Sequence, residues 1–312
     1  MMEGSLHTNT YESHICSMIR EDMRRMFTTR LISGIILVII ALVTIITGGP
    51  LLLATLLFVS LVGMHELYGA MGIVRPNPAQ IQAEGREYKA RDKNRGKAPE
   101  EAMNILAAMG FAGAVAYYGL LFFMPEQYYL VGIVMTLILI LAAYVFSYPK
   151  YHAEQVIATF FGMVYVAVML GFIYVIRSSE SGKILVWLVF LSSWGSDTCA
   201  YCVGVLIGRH KMAPVLSPKK SVEGAVGGVV GAGLLGLLYA FIFHQPMAAY
   251  AVICAAGALI SMVGDLAASA IKRDKGIKDY GKLIPGHGGV LNRFDSVIFT
   301  APIIYFLSLV LI

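Results

Sequence analysis

The polar residues of this chain gather into a few short stretches, and between them run apolar segments long enough to cross a bilayer. A hydrocarbon core of roughly 30 Å needs about 20 apolar residues per helical span. Segments of that kind lie at about 31–47, 51–71, 104–123, 128–147, 156–176, 184–203, 223–243, 248–270 and 295–312, which predicts nine transmembrane helices. Only Gly48, Gly49 and Pro50 separate the first two, as a tight turn between helices would require. The first run follows a basic stretch containing Arg20, Arg24, Arg25 and Arg30, and no small-residue cleavage site follows it. It therefore reads as a retained signal anchor. No internal repeat is visible.

Composition agrees with this pattern. Of the 312 residues, 58% are hydrophobic and 14% charged, against roughly 25% charged in soluble domains. Loop charge then orients the chain. Of the 24 Lys and Arg residues, 22 fall in 1–30, 72–103, 148–155, 204–222 and 271–294, and only Arg177 and Lys183 lie on the opposite side. Basic residues are retained on the cytoplasmic side, so the expectation is an all-α polytopic membrane protein with a cytoplasmic N-terminus. It divides into a cytoplasmic segment (1–30), an N-terminal set of transmembrane helices with a basic cytoplasmic loop at 72–103 (31–183), and a C-terminal transmembrane catalytic region (184–312). The 72–103 loop carries Arg86, Lys89, Arg91, Lys93, Arg95 and Lys97 among acidic residues, and its plain reading is a solvated loop near anionic headgroups.

Ionisable groups inside spans cost about 2.5–3.5 kcal/mol each on insertion scales, so they mark a bundle interior or a watery cavity. Four acidic positions there matter most, Glu66, Asp197, Glu223 and Asp265, while Asp295 opens the last span. Asp265, Ser269 and Lys272 follow an i, i+4, i+7 spacing, which sets a carboxylate, a hydroxyl and an ammonium on one helix face. The plainer alternative is an Asp–Lys pair that only holds structure. Asp197, Tyr201, Gly204 and Gly208 form a second such face, suited to a cavity wall or to a helix–helix hydrogen bond. Glu66 follows His65, a pairing that suits a proton path or a structural contact. Cys199 and Cys202 form a CxxC without a second pair, and read as small helix-packing residues rather than zinc ligands.

The richest chemistry lies between the last two spans. Lys272, Arg273, Lys275, Lys278, Lys282, His287 and Arg293 share one connection with Asp274, Asp279 and Asp295, and Gly286, Gly288 and Gly289 surround the histidine. Cationic side chains bind phosphate oxygens through charge-assisted hydrogen bonds. Glycines let backbone N–H groups approach an anion, and carboxylates hold magnesium. A second basic segment, Ser217-Pro-Lys-Lys220-Ser221-Val-Glu223-Gly224, opens a helix, where phosphate is attracted. Other motifs fail: Gly276 to Lys282 lacks the Ser or Thr of a P-loop, and no GxSxG elbow accompanies His287-Gly-Gly.

These residues resemble a known family. Ser269, Lys272-Arg273, Lys278-Asp279, His287-Gly288-Gly289 and Arg293-Phe-Asp295 look like the signature of the phosphatidate cytidylyltransferases, also called CDP-diacylglycerol synthases. Asp197-Thr-x-Ala-Tyr201, Ser217-Pro-x-Lys220-Ser221-x-Glu223-Gly224 and Gly264-Asp265 match in order, so the resemblance spans roughly 190–312. The N-terminal half matches in its apolar pattern and in Glu66. The resemblance implies transfer of CMP from CTP to phosphatidic acid, with Mg2+ as cofactor and room for a second metal ion. Asp265, Asp295, Lys272 and His287 would be catalytic. Ser217, Lys220, Ser221, Glu223, Ser269, Arg273, Lys278 and Arg293 would bind substrate, and Asp265, Asp295, Asn292 and Asp197 would hold metal. Membrane lipids are further partners, a homodimer is compatible, and no nucleic acid is expected. The implied location is a bacterial inner membrane, with the site facing the cytoplasm. One departure stands out: the family carries Asp before the arginine of its signature, where this chain has Asn292. A CTP-dependent lipid kinase, a nucleotidyltransferase acting on another lipid phosphate, a catalytically altered pseudoenzyme and an ion-coupled transporter are the alternatives. The last fits poorly, because the polar residues gather at one end of the spans and not at their middle.

Overall fold

The structure is a computed structural model that describes residues 32–74, 105–281, 283–284 and 288–312. The loop 75–104, and with it most of the basic 72–103 segment, lies outside the described residues, as do the N-terminal segment, Lys282, Gly286 and His287.

The described chain is a bundle of helices in the expected order. They are α1 (Ile32–Thr47), α2 (Gly49–Ala70), α3 (Ile105–Phe123), α4 (Tyr129–Phe146), α5 (Ala153–Ser178), α6 (182–207), α7 (Val222–Ile242), α8 (Met247–Asp274) and α9 (Leu291–Leu311). Seven of these are long and apolar enough to cross a membrane. The other two occupy the predicted spans 31–47 and 184–203: α1 is shorter, and α6 is divided. Large apolar side chains such as Ile39, Leu130, Leu206 and Phe241 lie exposed on the outside of the bundle, where a hydrocarbon solvent satisfies them.

Two features were not visible in the hydropathy pattern. Both α5 and α6 contain a π-helical turn, at Met163–Val168 and Leu191–Gly195. A π turn inserts a residue into the helical repeat and re-aims the side chains beyond it. The segment 204–222, expected as a plain loop, instead contains a small antiparallel hairpin, β1 (Lys211–Ala213) and β2 (Ser217–Ser221), paired Lys211 to Ser221 and Ala213 to Ser217.

Small residues set the closest contacts. On α7, a Cβ added to Gly224 would meet the Ala200 carbonyl at 2.8 Å, and one on Gly228 would meet Ser196 Oγ at 2.9 Å. Cys199 packs against Gly231, the role expected of it, whereas Cys202, given the same role, is exposed; Cys254, for which no role was expected, packs against Gly236. The α8–α9 contact runs through Gly264, where a Cβ would meet the Asp295 carbonyl at 2.9 Å. At the end of the bundle away from the charged loops, Arg177 donates to the carbonyls of Ile45 (2.8 Å) and Ile46 (3.0 Å) and so caps the C-terminus of α1.

Candidate active site at the loop end of the bundle

The ends of α2, α6 and α8, the starts of α7 and α9, and the hairpin all meet at one end of the bundle. The hairpin is fastened by its own polar groups. The Glu223 carboxylate accepts the backbone N–H groups of Arg209 (3.1 Å) and His210 (3.2 Å) and also contacts the His210 ring. Ser221 caps α7 by accepting from the Gly224 N–H at 3.1 Å. Two residues expected to bind substrate are thus engaged in shaping the segment that carries Lys219 and Lys220.

Lys220 reaches across from β2 to form an ion pair with Asp265 on α8. Each side chain is about a quarter exposed, 25% and 28% respectively. The helical spacing had set Lys272 beside Asp265; the Lys that meets it comes from another element. Lys272 is otherwise engaged. Its ammonium donates to Asn292 Oδ1 at 3.3 Å and lies 5.4 Å from the centre of the Tyr280 ring. Tyr280 donates to the Ala268 carbonyl at 2.9 Å, and burial pushes its hydroxyl pKa up, so it stays a donor. Asn292 completes the chain through its other end, donating Nδ2–H to Asp279 Oδ1 at 3.0 Å.

The loop after α8 begins with a glycine cap. Gly276 has φ of 64°, and the N–H groups of Gly276 and Ile277 return to the carbonyls of Arg273 (3.1 Å) and Lys272 (2.9 Å). This closes the helix with Lys272 and Arg273 in its last turn, where cations are favoured. Arg273 donates to the Ile277 carbonyl at 3.3 Å, and Lys278 is exposed beside it. Further on, Ile284 and Gly288 pair in an isolated bridge.

The last helix starts earlier than the apolar pattern indicated. It begins at Leu291, so Asp295 does not open the span but sits one turn inside it, 6% exposed. Asp295 Oδ1 accepts the Ser296 N–H at 2.9 Å. Asp197, Asp265 and Asp295 lie near enough to feel one another's charge, with Lys220 and Lys272 among the opposing charges. Ser269 is half-buried one turn beyond Asp265 on α8.

Two cavities adjoin this cluster. One of about 380 Å³ is lined by Asp197, Tyr201, Gly204, Lys219, Lys220 and Met262, among others. Of the predicted face, Asp197, Tyr201 and Gly204 line it, while Gly208 packs against Ser221 instead. The other, of about 260 Å³, lies between Trp194, Asp197, Asn292, Arg293 and α1. Asp197 borders both.

Among the described residues, no group of three or more His, Cys, Asp or Glu side chains comes close enough together to hold a metal ion. The four-residue metal set of Asp197, Asp265, Asn292 and Asp295 is therefore not assembled as a protein cage. The donors that are present still suit magnesium, which is ordinarily held by one or two carboxylates and completed by water and substrate phosphates.

Sequence reasoning left Asp279 without a role, although it holds Asn292. It also could not find the partners of Glu66, whose carboxylate accepts the backbone N–H groups of Val290 and Leu291. The one available signal was a carboxylate stranded in an apolar span. His65 beside it is exposed while Glu66 is buried.

Comparison with known proteins is consistent with this arrangement. The profile described as the cytidylyltransferase family matches residues 28–311. A phosphatidate cytidylyltransferase of Staphylococcus saprophyticus is 31% identical over 212 residues, covering 65% of this chain and 81% of that protein. One from Synechocystis is 41% identical over 134 residues, covering 42% of this chain and 45% of the relative.

Proposed function

Because the chain belongs to the cytidylyltransferase family, we infer that it is a membrane enzyme transferring CMP from CTP to phosphatidic acid, releasing pyrophosphate. The observation that carries this reading is the convergence, at one end of the bundle, of Lys220 with Asp265 and of Lys272 with Asn292, beside the buried Asp295. In the reaction, a phosphate oxygen of the lipid forms a bond to the α-phosphorus of CTP. The bond from that phosphorus to the α,β-bridging oxygen breaks, and pyrophosphate leaves with the electron pair. Such displacements need positioning and charge neutralisation more than a protein nucleophile.

The chain's own residues supply those needs. Lys220, Lys272, Arg273 and Arg293 bind and orient phosphates, and Lys278 adds charge at the rim. The hairpin, held by Ser221 and Glu223, presents Lys220 to the cavity. Asp265 and Asp295 would hold a magnesium ion that offsets charge on the triphosphate. The site faces the cytoplasm, on the side rich in basic loops, where CTP is available. An inner-membrane location follows from the same orientation in a bacterial cell.

The test is an assay of purified protein with labelled CTP, phosphatidic acid and magnesium. CDP-diacylglycerol and pyrophosphate should form in equal amounts. Release of CDP with a phosphorylated lipid would instead identify a CTP-dependent kinase.

A further inference from the structure

We propose that Glu66 is a positioning residue: from the N-terminal half of the chain it fixes the start of α9, and with it the placement of Asn292, Arg293 and Asp295. Its Oε1 accepts the N–H of Val290 and its Oε2 the N–H of Leu291, both at 2.9 Å. They are the N–H groups of the cap residue and of the first helical residue, orphan donors that a cap side chain does not reach, since it accepts from the second or third helical residue. Here the cap is Val290, which has no polar side chain. The acceptor comes instead from α2, 224 residues away in sequence.

The surroundings are built to this carboxylate. Glu66 is 7% exposed. A Cβ added to Gly281 or to Gly289 would run into its carboxylate oxygens. That carboxylate is pinned by two hydrogen bonds, so it cannot swing aside cheaply. Gly281 and Gly289, before and after the loop between them, therefore both rest on one side chain. Asn292, Arg293 and Asp295 follow within a turn and a half. A shift of Val290 and Leu291 moves all three together, and misplacement by about 1 Å can cost about a hundredfold in rate.

This role rests on the proposed reaction for its kinetic readout only. The experiment compares wild type with Glu66→Gln, Glu66→Ala and Gly289→Ala. It measures kcat and KM for CTP and phosphatidic acid, amide hydrogen exchange across 288–296, and thermal unfolding. Gln keeps one acceptor and presents an N–H to the second donor. Glu66→Gln should lower kcat about tenfold or more, with a smaller change in KM, and should speed exchange at Val290 and Leu291. Gly289→Ala keeps the carboxylate but displaces it, and should show the same signature if Glu66→Ala yields too little folded protein. A purely structural residue would lower folded yield and leave turnover per folded molecule unchanged. Wild-type turnover and exchange in Glu66→Gln and Gly289→Ala would overturn the proposal. Faster exchange at these amides with no cytidylyl transfer by wild type would uphold the clasp and refute the reaction.

Discussion

Asn292 uses both ends of its side-chain amide, accepting from Lys272 at 3.3 Å and donating to Asp279 at 3.0 Å. A carboxylate in its place could still take the lysine but would face Asp279 as a like charge. Asn292→Asp should therefore lower the unfolding temperature in chelator by about 1–2 °C, corresponding to about 1 kcal/mol in a chain of this length. Magnesium should restore it, and turnover at saturating magnesium should be retained or higher. Differential scanning fluorimetry with and without magnesium, paired with a magnesium titration of activity, decides it; a variant whose melting ignores magnesium refutes it. Asp265 predicts a different separation. The side chains of its pair with Lys220 are about a quarter exposed, but the ammonium nitrogen itself is shut off from solvent, so removing the carboxylate strands a buried charge and lowers stability. Asp265→Asn, which keeps an oxygen beside the ammonium, should therefore melt closer to wild type than Asp265→Ala, while turnover of both falls by about a hundredfold or more, the scale of losing one preorganised charge at a reacting centre. An active Asp265→Ala protein would remove it from the site.

Among the elements, α7 tolerates little added volume on the face it turns to α6. Its Gly224 and Gly228 touch the α6 backbone and the side chains of Ser196 and Ala200. Gly228→Leu should drive the two helices apart at a cost of about 1–3 kcal/mol or more, and size-exclusion profiles in detergent should show loss of monodisperse protein. The same scale shows what the sequence could reveal. Apolar runs of twenty residues gave the helices with ends correct to a few positions, because hydrophobic length is a property of each segment alone. A π turn adds a single residue within a run of uniform hydropathy, and averaging erases it. The strands Lys-Met-Ala and Ser-Pro-Lys-Lys-Ser lack β-branched residues, so their pairing rests on Glu223, fourteen positions beyond Arg209. The i, i+4, i+7 face of α8 was legible, but the identity of the lysine meeting Asp265 was not, because that contact joins two elements. Glu66 was legible as an oddity and illegible as a cap for the same reason.

Across the whole molecule, charge and shape agree. The connections bearing Lys219, Lys220, Lys272 and Arg273 share one end of the bundle, and Arg177 serves the far end as a cap for α1. The basic loops predict that this end faces the cytoplasm, which cysteine mapping with the four native cysteines replaced would test. Val215→Cys, at the tip of the hairpin and 84% exposed, should react with an impermeant maleimide only after cells are opened. Gln127→Cys, on the connection between α3 and α4, should react in intact cells. The reverse pattern would invert the molecule and place its chemistry away from the nucleotide pool.

The bond between the hairpin lysine and the α8 carboxylate also governs how visitors are received. A triphosphate that drew Lys220 away would leave the Asp265 carboxylate without its cation, and a magnesium ion carried in with the nucleotide would fill that place. On that reading the nucleotide and its metal would be admitted best as one body.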